Sequence, residues 1–370
     1  MLRLPQYMDD IRTVLNVVNW RGLESQVEGE ARTRLAIVGP VNSGKSSLFN
    51  ALEGRAISEV SPVPGSTRDT VNESFGPFTL VDTPGFGEAS GASHQGIALQ
   101  AMERADAILL VLDAAAGIRQ ADVTLYQQIG QMNNPVVVGL NKIDLISSRD
   151  RNSVIVDAEH KLGAGLVALS AKTGEGISDQ LMPALIELNP HIAVAIGRAL
   201  PAFRRQAAAR VIREATLIAA GIGLEPVPLI DLPLLLGHQL RMVLRIAAIY
   251  GESFSLRHAR ELISAMAGGV GIRFLGEQAA KLLPGPGWLF AAGFASGGTF
   301  AIGKAAEAYF ESGKQLNAPQ LRELYKRLRR QRDAQSEQVG QPALAETEPD
   351  ALQAMHTEVP PNRIGQDKDQ

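Results

Sequence analysis

The sequence predicts an α/β domain doubly wound around a mostly parallel sheet, then an all-α, Gly/Ala-rich helical domain and a disordered tail. Three observations predict it. Between residues 33 and 188, short apolar runs alternate with helix-length segments, the pattern of strands joined by crossover helices. Loops rich in Gly, Ser, Asp and Asn follow the apolar runs, so they gather at the carboxyl edge of the sheet, where such sheets bind ligands. Beyond Pro190 no strand series recurs, and helix-length segments broken by Gly and Pro take over.

At 370 residues the chain has length for two domains with buried cores. Its formal charge of −3 hides an uneven distribution: residues 1–190 hold 15 Lys/Arg against 22 Asp/Glu, residues 191–333 hold 19 against 10, and residues 334–370 hold 2 against 7. The basic back half suits an anionic partner or a membrane surface, and it suits ordinary solvated helix faces equally well. With no cysteine, disulfides, thiolate metal sites and cysteine nucleophiles are excluded, in keeping with a reducing compartment. Met1 to Asn19 carries Asp9 and Asp10 and no long apolar core, so no secretory signal is expected there.

Residues 1–30 are the first expected unit, an N-terminal amphipathic helical segment with Ile11, Val14, Leu15 and Val18 at helical spacing. Packing on the domain that follows is the favoured reading; a membrane-dipping or dimerising helix is the other. Residues 31–190 are the second unit. Leu35–Val38 reads as a buried strand and Ser47–Leu52 as the start of a helix. Ser61–Asp69 is a Pro/Gly/Ser loop, and Val71–Phe75 with Phe78–Val81 forms a hairpin across Gly76-Pro77. Gln95–Ala105, Asp122–Gln131, Val154–Leu162 and Ile177–Leu188 read as helices, alternating with strands at Ala107–Leu112, Pro135–Leu140 and Leu166–Leu169.

Between the first strand and the first helix stands Gly39-Pro40-Val41-Asn42-Ser43-Gly44-Lys45-Ser46-Ser47. This is G-x-x-x-x-G-K-S in the strand–loop–helix context that a phosphate-binding loop requires. Glycines let successive N–H groups turn inward at an anion, and the following helix aims its positive end at the same place. Lys45 then reaches the β- and γ-phosphates, and the Ser46 hydroxyl ligates Mg²⁺. Asp82-Thr83-Pro84-Gly85, where the hairpin ends, offers an acid for the Mg²⁺ water shell and a glycine N–H for a γ-phosphate. Asn141-Lys142-Ile143-Asp144 follows a strand, and the Asp144 carboxylate matches the ring N–H and amino group of guanine, which adenine does not supply in that pattern. GTP over ATP is the expected ligand.

In this order, Gly39–Ser47, Pro64–Asp69, Asp82–Gly85, Asn141–Asp144 and Ser170-Ala171-Lys172 resemble the motifs of the Era/TrmE-like branch of the translation-factor class of GTPases. The resemblance covers about residues 33–188. It implies a Ras-like P-loop GTPase domain that binds GTP and GDP with Mg²⁺ and hydrolyses GTP as a molecular switch. The switch loops, around Thr67 and Asp82–Gly87, are then held by the γ-phosphate and released on hydrolysis. Residue by residue, it implies that Ser47 touches the α-phosphate, with Gly39, Ser43 and Gly44 shaping the loop. Thr67 ligates Mg²⁺ and meets the γ-phosphate, Asp82 binds Mg²⁺ through water, and the Gly85 N–H meets the γ-phosphate. Asn141 faces the N7 edge of the base, and Lys142 lies along its plane. The Ala171 N–H bonds the guanine carbonyl, in a loop completed by Ser170 and Lys172.

Lys45, Thr67, Gly85 and Asn42 are the residues expected to carry catalysis. Phe86 stands where many small GTPases place a Gln that orients the attacking water, and phenylalanine cannot bond that water. Slow intrinsic turnover is expected. Asn42 stands where this branch often carries an asparagine beside a potassium ion, which would offset negative charge in the transition state. In that branch activation accompanies pairing of two G domains, a homodimer. Capping of loop hydrogen bonds is the other reading of Asn42.

Residues 191–316 are the expected helical domain, with helices over Ala199–Ala220, Leu234–Tyr250 and Ser255–Ala267. His238 and His258 are isolated, and no Ser/His/Asp or metal-ligand constellation appears. Leu282–Gly303 is a run of 22 uncharged residues with six Gly and two Pro. That length crosses a bilayer, and the same composition makes a buried Gly/Ala helix with a close-packing pair at Gly293 and Gly297; both readings stay open. Residues 200–312 resemble a YcjF-type domain of unknown function, which implies a helical, membrane-associated module without catalytic residues. Residues 317–335 form a basic helix (Arg322, Lys326, Arg327, Arg329, Arg330, Arg332) suited to anionic lipid, RNA or solvent. Residues 336–370 are the expected disordered tail. The whole is expected to be a cytoplasmic switch at the inner face of a membrane, coupled to that anionic surface or to a protein effector. The alternatives are an RNA- or ribosome-assembly GTPase and a GTP-binding scaffold with negligible turnover.

Overall fold

The computed structural model describes residues 20–53, 72–75, 77–82, 92–132, 134–224, 231–253, 256–267 and 287–339. Among these residues, six strands form one sheet in the order β2-β3-β1-β4-β5-β6. They are β1 (Leu35–Gly39), β2 (Asn72–Phe75), β3 (Phe78–Asp82), β4 (Ala107–Asp113), β5 (Val136–Asn141) and β6 (Val167–Ala168). The β2–β3 hairpin is antiparallel, and every other neighbouring pair is parallel. The helices up to residue 188 are α1 (Trp20–Glu30), α2 (Lys45–Glu53), α3 (Ala92–Glu103), α4 (Gln120–Gln131), α5 (Arg151–Leu162) and α6 (Met182–Leu188).

The apolar runs are continuous because both sheet faces are covered. Leu35, Ile37, Leu109 and Val111 enter one core with Leu48, Leu181 and Leu185. Ala36, Val38, Ile108 and Leu110 enter the other with Met102, Leu125, Ile129 and Leu140. Alternate residues of one strand therefore serve opposite cores, as the period of two requires.

The second half is helical, as expected, and no strand occurs in it among the described residues. Pro190, read from sequence as the close of the front domain, is also the first residue of α7 (Pro190–Ala199). Its fixed φ and missing N–H suit the first helical position, and Asn189 Oδ1 accepts from the His191 N–H at 2.8 Å. After a short turn at Pro201–Phe203 come α8 (Arg204–Leu224), α9 (Asp231–Ile249), α10 (Leu256–Ala267), α11 (Gly287–Glu311) and α12 (Ala318–Val339). The helix expected from Ala199 thus starts only after Pro201. The basic helix runs four residues beyond 335, so 336–339 are helical and not tail; residues 340–370 lie outside the described set.

Among the described residues no helix is long and apolar enough to cross a membrane. α11, which takes in the Gly/Ala run from Gly287, packs along α8, α9 and α12 with Ala301, Ile302, Ala305, Ala306 and Phe310 buried. At Gly303 the backbones come so close that an added Cβ would stand 2.7 Å from Ile212 Cγ1 and 3.0 Å from Met242 Sδ. The small residues there serve packing between protein helices. The helix expected over Ile11, Val14, Leu15 and Val18 lies outside the described residues; α1 lies chiefly against α9 and α7 of the helical half. The reason is electrostatic as well as apolar, because buried Glu30 is gripped by Arg241 and Arg245 of α9.

Candidate functional site

Register alone gathers the motif loops. Gly39 pairs with Asp82, and Asp113 with Asn141, each the last residue of its strand. The phosphate loop, the acid that ends β3 and the Asn141–Asp144 loop therefore stand at one carboxyl edge.

The phosphate loop fits tightly into that edge. An added Cβ at Gly39 would stand 2.2 Å from Val111 O. Asn42 has φ +67°, a left-handed conformation that asparagine adopts more readily than most residues. Lys45 is buried, and its Nζ donates to Gly39 O and Pro40 O, both at 2.9 Å, which fixes the ammonium over the loop. Ser46 and Ser47 are exposed on the first turn of α2.

The base-side loops are interlocked with it. Asn141 is 1% exposed; its Nδ2 donates to Ser43 O and its Oδ1 accepts from the Ala171 N–H, both at 2.9 Å. The side chain read as a base contact is thus also a clasp between two loops. For the same reason the Ala171 N–H, expected at the guanine carbonyl, is directed at Asn141 Oδ1 in this structure. Asp144 is half-buried, and its Oδ1 accepts from the Ser170 hydroxyl at 2.6 Å. Ser170 Oγ in turn accepts from the Thr173 N–H at 3.1 Å, so the hydroxyl proton faces the carboxylate. Lys172 is exposed.

Lys142 has φ +65°, and its Nζ donates to Asn42 O at 2.5 Å and to Asp113 Oδ2 at 2.6 Å. Asp113 is not among the residues that the sequence motifs single out. The signal for it is an acid directly following a buried strand at the binding edge.

Thr67, Gly85 and Phe86 lie outside the described residues, and Asp82 is described through its backbone. Among the described residues no group of three or more His, Cys, Asp or Glu could hold a metal by itself. Mg²⁺ takes one or two protein oxygens and completes its shell with phosphates and water. Exposed Ser46 and strand-end Asp82 are oxygen donors of that kind.

A family model described as 50S ribosome-binding GTPase matches residues 34–142, and one described as domain of unknown function DUF697 matches residues 191–334. GTPase Der of Clostridium botulinum (strain Langeland) is 33% identical over 177 residues, covering 44% of this chain and 40% of that protein. GTPase Era of Aquifex aeolicus (strain VF5) is 37% identical over 172 residues, covering 42% of this chain and 56% of that protein. The chain therefore spans only about half the length, or less, of these curated relatives. A solved structure of Aquifex aeolicus Era bound to GDP·AlF4⁻ aligns at 29% identity and TM-score 0.35 over 50% of this chain and 67% of its own. The motifs and the helical half follow one another in the order of the two family matches: this chain is similar to a 50S ribosome-binding GTPase domain over residues 34–142 and to a DUF697 domain over residues 191–334.

Proposed function

We propose that this chain binds GTP, hydrolyses it to GDP and phosphate, and uses the two nucleotide states as a switch acting on its helical half. The observation that carries the reading is the Asn141 clasp. One buried amide bonds the phosphate loop through Ser43 O and the Ser170–Lys172 loop through the Ala171 N–H, so phosphate grip and base reading form one unit.

The residues divide the work. Asp144, oriented by Ser170, accepts from the ring N–H and amino group of guanine. Lys45 brings positive charge to the β- and γ-phosphates, where negative charge grows as the phosphoryl group leaves. Ser47 and the N–H groups of the loop position the α-phosphate, and the Gly85 N–H meets the γ-phosphate. In the reaction the water oxygen bonds to the γ-phosphorus while the bond to the β–γ bridging oxygen breaks, and that oxygen departs with GDP. Mg²⁺, when bound, would be held by Ser46, Thr67 and, through water, Asp82, and it supplies neutralisation of phosphate charge. With Phe86 unable to orient the water, turnover is slow unless Asn42 helps hold a potassium ion as two G domains pair. Lys326, Arg327 and Arg330, exposed on α12, are the face offered to an anionic membrane surface.

One assay tests these parts. Phosphate release by the full chain is followed with GTP and with xanthosine triphosphate, for wild type and Asp144→Asn, in KCl and in NaCl, with and without anionic vesicles. Wild type should prefer GTP, and Asp144→Asn should weaken GTP use by about 30- to 1,000-fold while gaining xanthosine triphosphate. Undiminished GTP turnover by the variant would show that Asp144 does not read the base. Equal rates in KCl and NaCl would remove the potassium role, and indifference to vesicles would remove the membrane coupling.

A further inference from the structure

We infer that Asp113 is a positioning residue for guanine binding, acting through Lys142. The inference rests on the reading of this edge as a guanine-nucleotide site. Lys142 Nζ is clamped between Asn42 O at 2.5 Å and Asp113 Oδ2 at 2.6 Å, while its backbone is held left-handed at φ +65°. Both ends of the side chain are therefore fixed. Between them the stem crosses the phosphate loop, with Lys142 Cε 3.9 Å from where a Gly44 Cβ would be.

A lysine stem is four methylenes with an entropic tendency to roam, and a roaming stem offers no flat surface to a base. Pinned at both ends, it becomes a fixed apolar shelf beside the carboxylate of Asp144. Asp113 is itself held in place by its own backbone neighbours. Its Oδ1 accepts from the Ala115 N–H at 2.9 Å and the Ala116 N–H at 3.3 Å, which turns Oδ2 toward Lys142. The ion pair is partly buried, with side-chain exposures of 29% for Lys142 and 22% for Asp113, so bulk solvent screens it less than a surface pair. Asn42 O alone would leave the ammonium with one neutral acceptor and no counter-charge.

The test uses the full chain, a fluorescent GDP analogue for affinity, and thermal melting of the nucleotide-free protein. Asp113→Asn keeps an oxygen for the Ala115 and Ala116 amides and removes the charge facing Lys142. It should weaken GDP binding about ten- to a hundredfold, the range of a lost charge-assisted bond, with the nucleotide-free melting temperature nearly unchanged. The loss should appear in KM for GTP and not in kcat. Lys142→Met should cost a similar factor, and the double variant should lose no more than either single one. Undiminished binding by Asp113→Asn, or a penalty that persists in full on the Lys142→Met background, would overturn the inference. Should the asparagine variant not fold, Asp113→Ser, which keeps a hydroxyl for the Ala115 amide, carries the same comparison. Failure of the wild-type chain to bind the GDP analogue is a separate outcome: it removes the guanine-site reading itself.

Discussion

Gly44 has φ +93°, and the space its side chain would fill belongs to Asn141 Nδ2, which would lie 2.2 Å from an added Cβ. A methyl group there meets two penalties at once. The left-handed backbone costs a non-glycine residue ~1–2 kcal/mol, and the clash expels the amide that bonds Ser43 O. Gly44→Ala should therefore loosen both loops together and weaken GDP-analogue binding by about a hundredfold or more, the product of strain and a lost buried hydrogen bond. Circular dichroism should show the helices intact. Binding within a factor of two of wild type would mean that the loops hold their places without the clasp.

At the scale of elements, packing decides what composition leaves open. Gly303 of α11 lets that helix press against Ile212 of α8 and Met242 of α9. Gly303→Val puts three carbons where even one lacks room, and overpacking of this kind costs ~1–3 kcal/mol. Urea unfolding should show that loss with an unchanged slope; an unchanged midpoint would mean that the two helices part without cost. The phosphate loop and the strand–helix alternation were legible in the sequence because they are local, fixed by spacing and by periods of two and 3.6. Asn141 and Ser43 are 98 positions apart, and Lys142 and Asn42 are 100, so no local pattern announces those bonds. α7 was hidden because Pro190 punctuates a chain both as a stop and as a start. α11 was ambiguous because a Gly/Ala surface suits a protein neighbour and a lipid equally; only the helices beside it distinguish them.

Glu30 ties α1 to the helical half. Its Oε2 accepts from Arg245 Nε at 2.6 Å, and its Oε1 accepts from Arg245 Nη2 at 2.9 Å and Arg241 Nη2 at 2.6 Å. Arg245 also reaches Glu214 of α8 at 3.1 Å. Burial alone would raise the Glu30 carboxyl, but the bonds and charges of Arg245 and then Arg241 outweigh it and hold the group below its ordinary 4.5. A depressed carboxylate adds stability above its unfolded value and loses it as pH falls through its folded value. Unfolding free energy should therefore drop as the medium is acidified below pH ~4.5, and Glu30→Gln should flatten that dependence. At pH 7 the same variant leaves Arg241 and Arg245 with Glu214 as their one carboxylate among the described residues and should lose ~3 kcal/mol in urea unfolding. An equally steep acid limb in wild type and variant would assign the pH dependence to other carboxylates.

The position of Glu30 in the chain has a further consequence. α1 comes before the sheet domain, yet it packs against α7 and α9, which come after it. In chain order the sheet domain is therefore an insertion: the polypeptide leaves the helical body, builds the nucleotide-binding body, and returns. A single cut near Asn189 would not give two self-sufficient pieces, because the C-terminal one would lack the carboxylate that Arg241 and Arg245 share. The two halves are also packed on each other: Leu181 and Leu185 share one core with Val211 and Leu240, and Glu187 of α6 pairs with Arg210 and Arg213 of α8. The chain therefore joins the sheet domain to the helical half at both of its ends, through α1 and through α7.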